Sequence, residues 1–149
     1  MNNKDKETLE HIAQVKHYLD QIAFKIQSRG LMHDQSKLTD PEVKVFRENT
    51  PEFNKVTYGS KEYEEQLKKM KPALDHHYAN NRHHPEYFSN GINGMTLVDL
   101  IEMVADWKAS STRHHDGDII KSIEINSKRF NVSEQLKNII YNTIIWEIL

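Results

Sequence analysis

Apolar side chains in this sequence recur by threes and fours rather than by twos, and that spacing decides the fold class. Leu9, Ile12, Val15, Leu19, Ile22 and Ile26 mark one face of a long first helix, with Gly30 placed to stop it. Segment 31–38 reads as a short helix or turn. Asp40 and Pro41 then open a helix expected to run to about Asn49, before Thr50 and Pro51 interrupt it. A loop around Val56–Gly59 leads to Ser60 as the next cap. Tyr63, Leu67, Met70, Leu74 and His77 follow at alternating four and three spacing, with Pro72 inside the pattern forcing a kink or break. Residues 79–95 read as a long loop. Thr96 starts a helix carrying Leu97, Leu100, Ile101, Val104 and Trp107, expected to end near His115–Gly117. Asp118 caps a helix to about Phe130, and Ser133 caps a last one carrying Leu136, Ile139, Ile140, Ile144 and Ile148. No segment alternates with the period of a strand. The expected fold is an all-α helical bundle of roughly six helices, a single domain over residues 1–149.

Composition narrows the function classes. Twenty basic and twenty-two acidic residues leave a formal charge of −2, so nothing general favours duplex nucleic acid. No apolar run is long enough to span a membrane, and the polar start MNNKDKETLE is unlike a signal peptide. The chain is expected in the cytoplasm. The absence of cysteine removes disulfides, zinc fingers, iron–sulfur centres and thiol nucleophiles. Histidine is the surplus residue: nine in 149, four of them at His76, His77, His83 and His84. Imidazole without thiol suits borderline metal ions or acid–base work.

Three local signals carry that chemistry. The first is HDQSK, where His33 and Asp34 offer a nitrogen and a carboxylate to one ion. Lys37, a helical turn on, can reach the same place. The second is His11. It lies about 70° from the centre of the first helix's apolar stripe, whereas His17 lies about 170° away and should face solvent. The third is Asp106, in the sequence MVADWKAS. Asp99, Glu102, Asp106, Ser110 and Arg113 form one polar helix face. Periodicity alone reads that face as solvated; the alternative is the lining of a polar pocket.

A first-helix His11, the pair His33-Asp34 and a distant Ala105-Asp106 resemble, in order, the motif of the HD-domain superfamily of metal-dependent phosphohydrolases. Lys37 stands where some branches of that superfamily carry a lysine. The wider run from HDQSKLTDPE through HHYANNRHHPEYF and GINGMTLVDLIEM to RHHDGDI also resembles a family of uncharacterised phage and bacterial proteins. The first resemblance implies a divalent metal, one of Mn, Fe, Co, Ni, Zn or Mg, held by His11, His33, Asp34 and Asp106. It implies Asp34, Lys37 and Asp106 as catalytic residues.

The implied activity is hydrolysis of a nucleotide or other small phosphate ester. The alternative is a non-catalytic helical module that binds a host protein or a nucleotide around a structural metal. Oligomeric state stays open, a homo-oligomer included. Arg82 and Arg113 are the candidate phosphate clamps, because guanidinium matches phosphate oxygens. His83 and His84 join them as candidate substrate-binding residues, on a loop expected to cover the site. His76 and His77 are candidate ligands of a second metal. For His77, which lies on an apolar stripe, a packed core histidine is the ordinary alternative.

Overall fold

The computed structural model describes residues 3–53, 55–57, 60–113 and 117–148. It is all-α, and strands are absent among the described residues. The chain divides into two compact units, Met1–His33 and Asp34–Leu149.

The first unit is essentially one helix, α1 (Asn3–Met32). It runs two residues past Gly30, where the added space of a missing side chain meets no other atom. The periodic stripe is real but not buried: Leu9, Ile12, Val15, Leu19 and Ile22 are all exposed.

The second unit is a bundle built by six helices: α2 (Glu42–Phe53), α3 (Lys61–Lys69), α4 (Lys71–Asn80), α5 (Leu97–Ser111), α6 (Ile119–Arg129) and α7 (Glu134–Thr143). Capping residues set their starts. The side chains of Ser60, Asp118 and Ser133 each accept a backbone N–H at the head of α3, α6 and α7. Thr96 and Asp99 form a reciprocal capping box at the head of α5. Pro72 marks the break between α3 and α4, as its place in the sequence requires.

Three expectations are corrected. α2 starts at Glu42, after a cis Asp40–Pro41 bond, with the Thr39 carbonyl accepting from Glu42 and Val43; it then passes through Pro51 to Phe53. The loop expected over 79–95 is shorter and more structured. α4 extends to Asn80, and two 3₁₀ turns, Pro85–Tyr87 and Gly91–Gly94, follow. Gly94 is needed there, because a Cβ would lie 2.8 Å from that of Phe88. α5 ends at Ser111; of the end placed near His115–Gly117, residues 114–116 lie outside the described residues, as do Tyr58 and Gly59 of the earlier loop.

The core sits between α5, α6 and the chain end. Met103, Val104 and Trp107 pack with Ile119 and Ile123 of α6 and with Ile140 and Ile144. The rings of Trp107 and Phe130 lie nearly parallel, 6.3 Å apart. A π-helical turn, Ile144–Ile148, closes the chain and keeps Ile144 fully buried. Among the described residues no helix is long and apolar enough to cross a membrane.

The apolar residues of α5 do not share one fate. Met103 is 1% exposed and Leu97 is 77% exposed. Met103→Ala should therefore lower the unfolding free energy by about 2–5 kcal/mol, and Leu97→Ala by no more than about 0.5 kcal/mol. Urea denaturation measures both; equal losses would contradict this placement of the core.

Candidate metal centre

The site begins with a backbone turn. Asp34 follows the end of α1 with φ of 58°, in the left-handed region that aspartate tolerates better than most residues. It heads a 3₁₀ turn, Gln35–Leu38, whose Lys37 returns to hold Asp34 Oδ2 at 2.5 Å. Asp34 Oδ1 is thereby aimed away from the lysine. It lies 3.2 Å from His77 Nε2 and 3.5 Å from His83 Nε2. His84 completes the group, its Nε2 3.0 Å from that of His77. The four side chains each offer one ligand atom to a common place and together can hold a metal ion.

The far side of two imidazoles is fixed by carboxylates. His77 Nδ1 lies 2.9 Å from Glu42 Oε2, and His83 Nδ1 lies 3.3 Å from Glu102 Oε1. A carboxylate only accepts, so His77 Nδ1 donates to Glu42. The Nε2 atoms of His77 and His83 both face the Asp34 carboxylate, as donors to it in a charged ring or as ligand atoms for a metal in a neutral one.

Glu42 has no solvent exposure and is satisfied on every side. Its Oε1 takes His76 Nδ1 at 2.7 Å, and Ser36 donates to Oε2 at 3.0 Å. Asn81 donates to Ser36 and to the His77 carbonyl. α2, α4 and the Asp34 turn thus meet on one buried carboxylate. Nothing in the sequence pattern marks it: Glu42 reads as an ordinary acid in a helix's first turn.

The loop after α4 is positioned by a different pair. Arg82 donates to both oxygens of Asp99, at 3.1 and 2.9 Å, and lies over the rings of Tyr87 and Phe88. Asp99 is fully buried and also accepts from Thr96 in the capping box. Its hydrogen bond is the main reason the Arg82 guanidinium is held above its usual range. Arg82 thus ties the histidine loop to α5.

The polar face of α5 is also corrected, from solvated surface to interior. Asp99 is buried, Glu102 holds His83, and Asp106, Ser110 and Arg113 line a cavity of about 750 Å³. Asp34, Lys37, His77 and His84 open onto the same cavity. Of the residues that sequence reasoning singled out, Asp34, Lys37, His77, His83, His84, Asp106 and Arg113 meet in or beside this site. His76 touches Glu42 from a half-exposed position outside the cluster. His11 is exposed on α1, and His33 is the last residue of that first unit. His83 and His84, expected to bind substrate, stand in the ligand cluster itself, and His77 is a core histidine and a cluster member at once.

Burial dominates the electrostatics of His84. Desolvation, then the neighbouring His83 and His77 rings, push its pKa down to about 2, against the opposing pull of Asp106 and Asp34. It is neutral at ordinary pH, with one ring nitrogen bearing a proton and the other a lone pair.

An all-α chain with a largely buried His/Asp cluster beside a cavity is the class that fold and site define. The chain belongs to a family of unknown function, DUF5662, whose model matches residues 1–145. No curated protein and no solved structure matches it.

The depressed pKa of His84 makes stability depend on pH. Between about pH 6.5 and 2 the unfolded chain binds a proton at His84 that the folded chain does not. Stability should be complete above about pH 6.5 and fall as pH drops, with a slope from this group approaching about 1.4 kcal/mol per pH unit. Urea denaturation at pH 7.5 and 5.5 in a chelator should show a smaller loss in His84→Gln than in the parent. Identical losses would show that His84 is not the group responsible.

Proposed function

We propose that this chain is a metal-dependent phosphohydrolase acting on a nucleotide or other small phosphate ester, with a borderline divalent ion held by Asp34, His77, His83 and His84. The observation that carries the reading is the convergence of possible ligand atoms. The Nε2 atoms of His77 and His83 lie 3.2 and 3.5 Å from Asp34 Oδ1, with Glu42 and Glu102 behind the rings. His84 is held neutral beside them. A cation among these atoms would be ligated by all four side chains.

The spacing supports this. Ligands at about 2.0–2.2 Å from one ion lie roughly 3–3.6 Å from each other, and the measured separations are 3.0, 3.2 and 3.5 Å. Three imidazoles and one carboxylate favour Mn, Fe, Co, Ni or Zn over Mg. Carboxylates behind ligating histidines are the usual arrangement for orienting the rings and raising their basicity. The set shares Asp34 with the one implied by resemblance to HD domains and adds His77, His83 and His84 to it.

When bound, a divalent ion supplies a Lewis acid that neutralises phosphate charge and acidifies a water. The chain's own residues supply the rest. Lys37 offers an ammonium one bond length from Asp34, able to turn to a phosphoryl oxygen. Arg113 lines the cavity and is a candidate phosphate clamp. Asp106, beside His84 and bonded by Ser110 at 3.4 Å, is placed to orient the attacking water. The water oxygen bonds to phosphorus, the ester P–O bond breaks, and a proton reaches the leaving alkoxide.

Protein purified without chelator should contain a stoichiometric transition metal and release phosphate from members of a nucleotide and phosphomonoester panel. Asp34→Ala and His77→Ala should lose both properties. Bound metal with no turnover would favour the binding-module reading, and a metal-free, inactive protein after reconstitution with Mn or Zn would sink the proposal.

Glu42→Gln tests the support of the site. An amide cannot accept from two imidazoles as a carboxylate does, so metal affinity should fall about 10- to 100-fold by calorimetric titration. Unchanged affinity would remove Glu42 from the centre.

A further inference from the structure

The cavity beside the cluster is far larger than a phosphate group requires. Its volume of about 750 Å³ lies within the range of sites for whole organic ligands. Its polar and charged groups are not spread evenly. Asp34, His77 and His84 stand together as the cluster. Arg47, Arg113 and Lys121 line the cavity from exposed positions, so they form its rim.

Between cluster and rim much of the wall is hydrocarbon and aromatic. Phe46 of α2, Leu67 of α3, Leu74 of α4, Trp107 of α5 and Ile125 of α6 all line it and are buried or half-buried, with Met70 at the junction of α3 and α4. Polar side chains stand among them, including Tyr63, Tyr78, Ser110, Ser122 and Asn126; Ser110 donates to Asp106, and Asn126 donates to Ser122. Along the run of Phe46, Leu67, Leu74 and Ile125 a sugar or other polyhydroxyl body would leave hydroxyls unmatched, at a cost for each.

From this we infer that the preferred ligand is a phosphate monoester whose body is apolar, an alkyl or aryl phosphate, with the phosphate at the cluster and the hydrocarbon along the wall of Phe46, Leu67, Leu74 and Ile125. This rests on the phosphohydrolase reading for the phosphate end and on the cavity walls for the body. Exposed cations at the rim steer the anion inward. Hydrolysis of such a substrate gives the free alcohol and inorganic phosphate: water oxygen joins phosphorus, the P–O bond to the alkyl carbon's oxygen breaks, and that oxygen takes a proton.

A homologous series tests the inference without changing the leaving group. Butyl, hexyl and octyl phosphate, glycerol 3-phosphate and adenosine 5′-monophosphate are all esters of primary alcohols. With Mn-loaded protein, kcat/KM should rise about three- to fourfold per methylene until the cavity is filled, and hexyl phosphate should exceed both polar substrates at least tenfold. Calorimetric binding of the matching alkylphosphonates, which cannot be hydrolysed at the P–C bond, should show the same chain-length trend. Leu67→Trp should end the rise at a shorter chain. Hydrolysis with no chain-length trend, or with glycerol 3-phosphate or adenosine 5′-monophosphate preferred, would overturn the inference and leave the phosphohydrolase standing. Chain-length-dependent phosphonate binding with no turnover would do the reverse. Should no phosphonate bind, the apolar-body assignment is lost.

Discussion

A carboxylate with no solvent exposure dictates much of what surrounds it. Glu42 sits in the first turn of α2, and burying its charge is tolerable only because several groups donate to it. Those groups come from distant stretches of chain: Ser36 from the turn after Asp34, His76 and His77 from α4. Satisfying Glu42 therefore docks α4 against α2 and against the Asp34 turn. It also sets the tautomer of His77, since its Nδ1 proton is committed to the carboxylate. One requirement for buried hydrogen bonding thus fixes a helix arrangement and the chemical character of an imidazole nitrogen together.

A second buried carboxylate does parallel work on the other side. Asp99 caps α5 and takes both arms of Arg82. Arg82 immediately precedes His83 and His84, so the bidentate pair fixes where the histidine loop leaves α4. Phe88 and Tyr87 cover the guanidinium, and the two 3₁₀ turns shorten the path back to α5. The loop is held by charge and ring contacts rather than by a continuous helix. That accounts for the density of polar residues in a segment that periodicity reads only as a connector.

Helices were legible in the sequence because their signals are local. Ser60, Thr96, Asp118 and Ser133 cap where their spacing requires, and Pro72 breaks the chain where it stands. Burial was less legible, because it depends on partners. The α1 stripe has the right period and is exposed; the α5 polar face has the period of a solvated surface and turns inward. Asp34 was visible as half of an HD pair, and the surplus of histidine drew attention to the segment from which His77, His83 and His84 gather beside it. Which histidines would meet Asp34 was not visible, since it rests on contacts across more than forty residues of chain. Glu42 had no signature at all, being one acid among many until α4 lies beside it.

The strained turn at Asp34 closes the argument about why this cluster takes the form it does. A left-handed residue costs free energy, and such outliers persist where the surroundings over-determine them. Here Lys37 holds one carboxylate oxygen, and the other is directed at two imidazole nitrogens that a neutral, apolar pocket would keep apart. An extended backbone at Asp34 would swing the carboxylate away from that meeting and relieve the strain. The fold instead keeps the left-handed turn and places two further carboxylates, Glu42 and Glu102, behind the rings. Each feature is unfavourable alone. Under the metal-centre proposal a cation would make them mutually consistent, contributing its binding free energy to the turn that assembles its ligands.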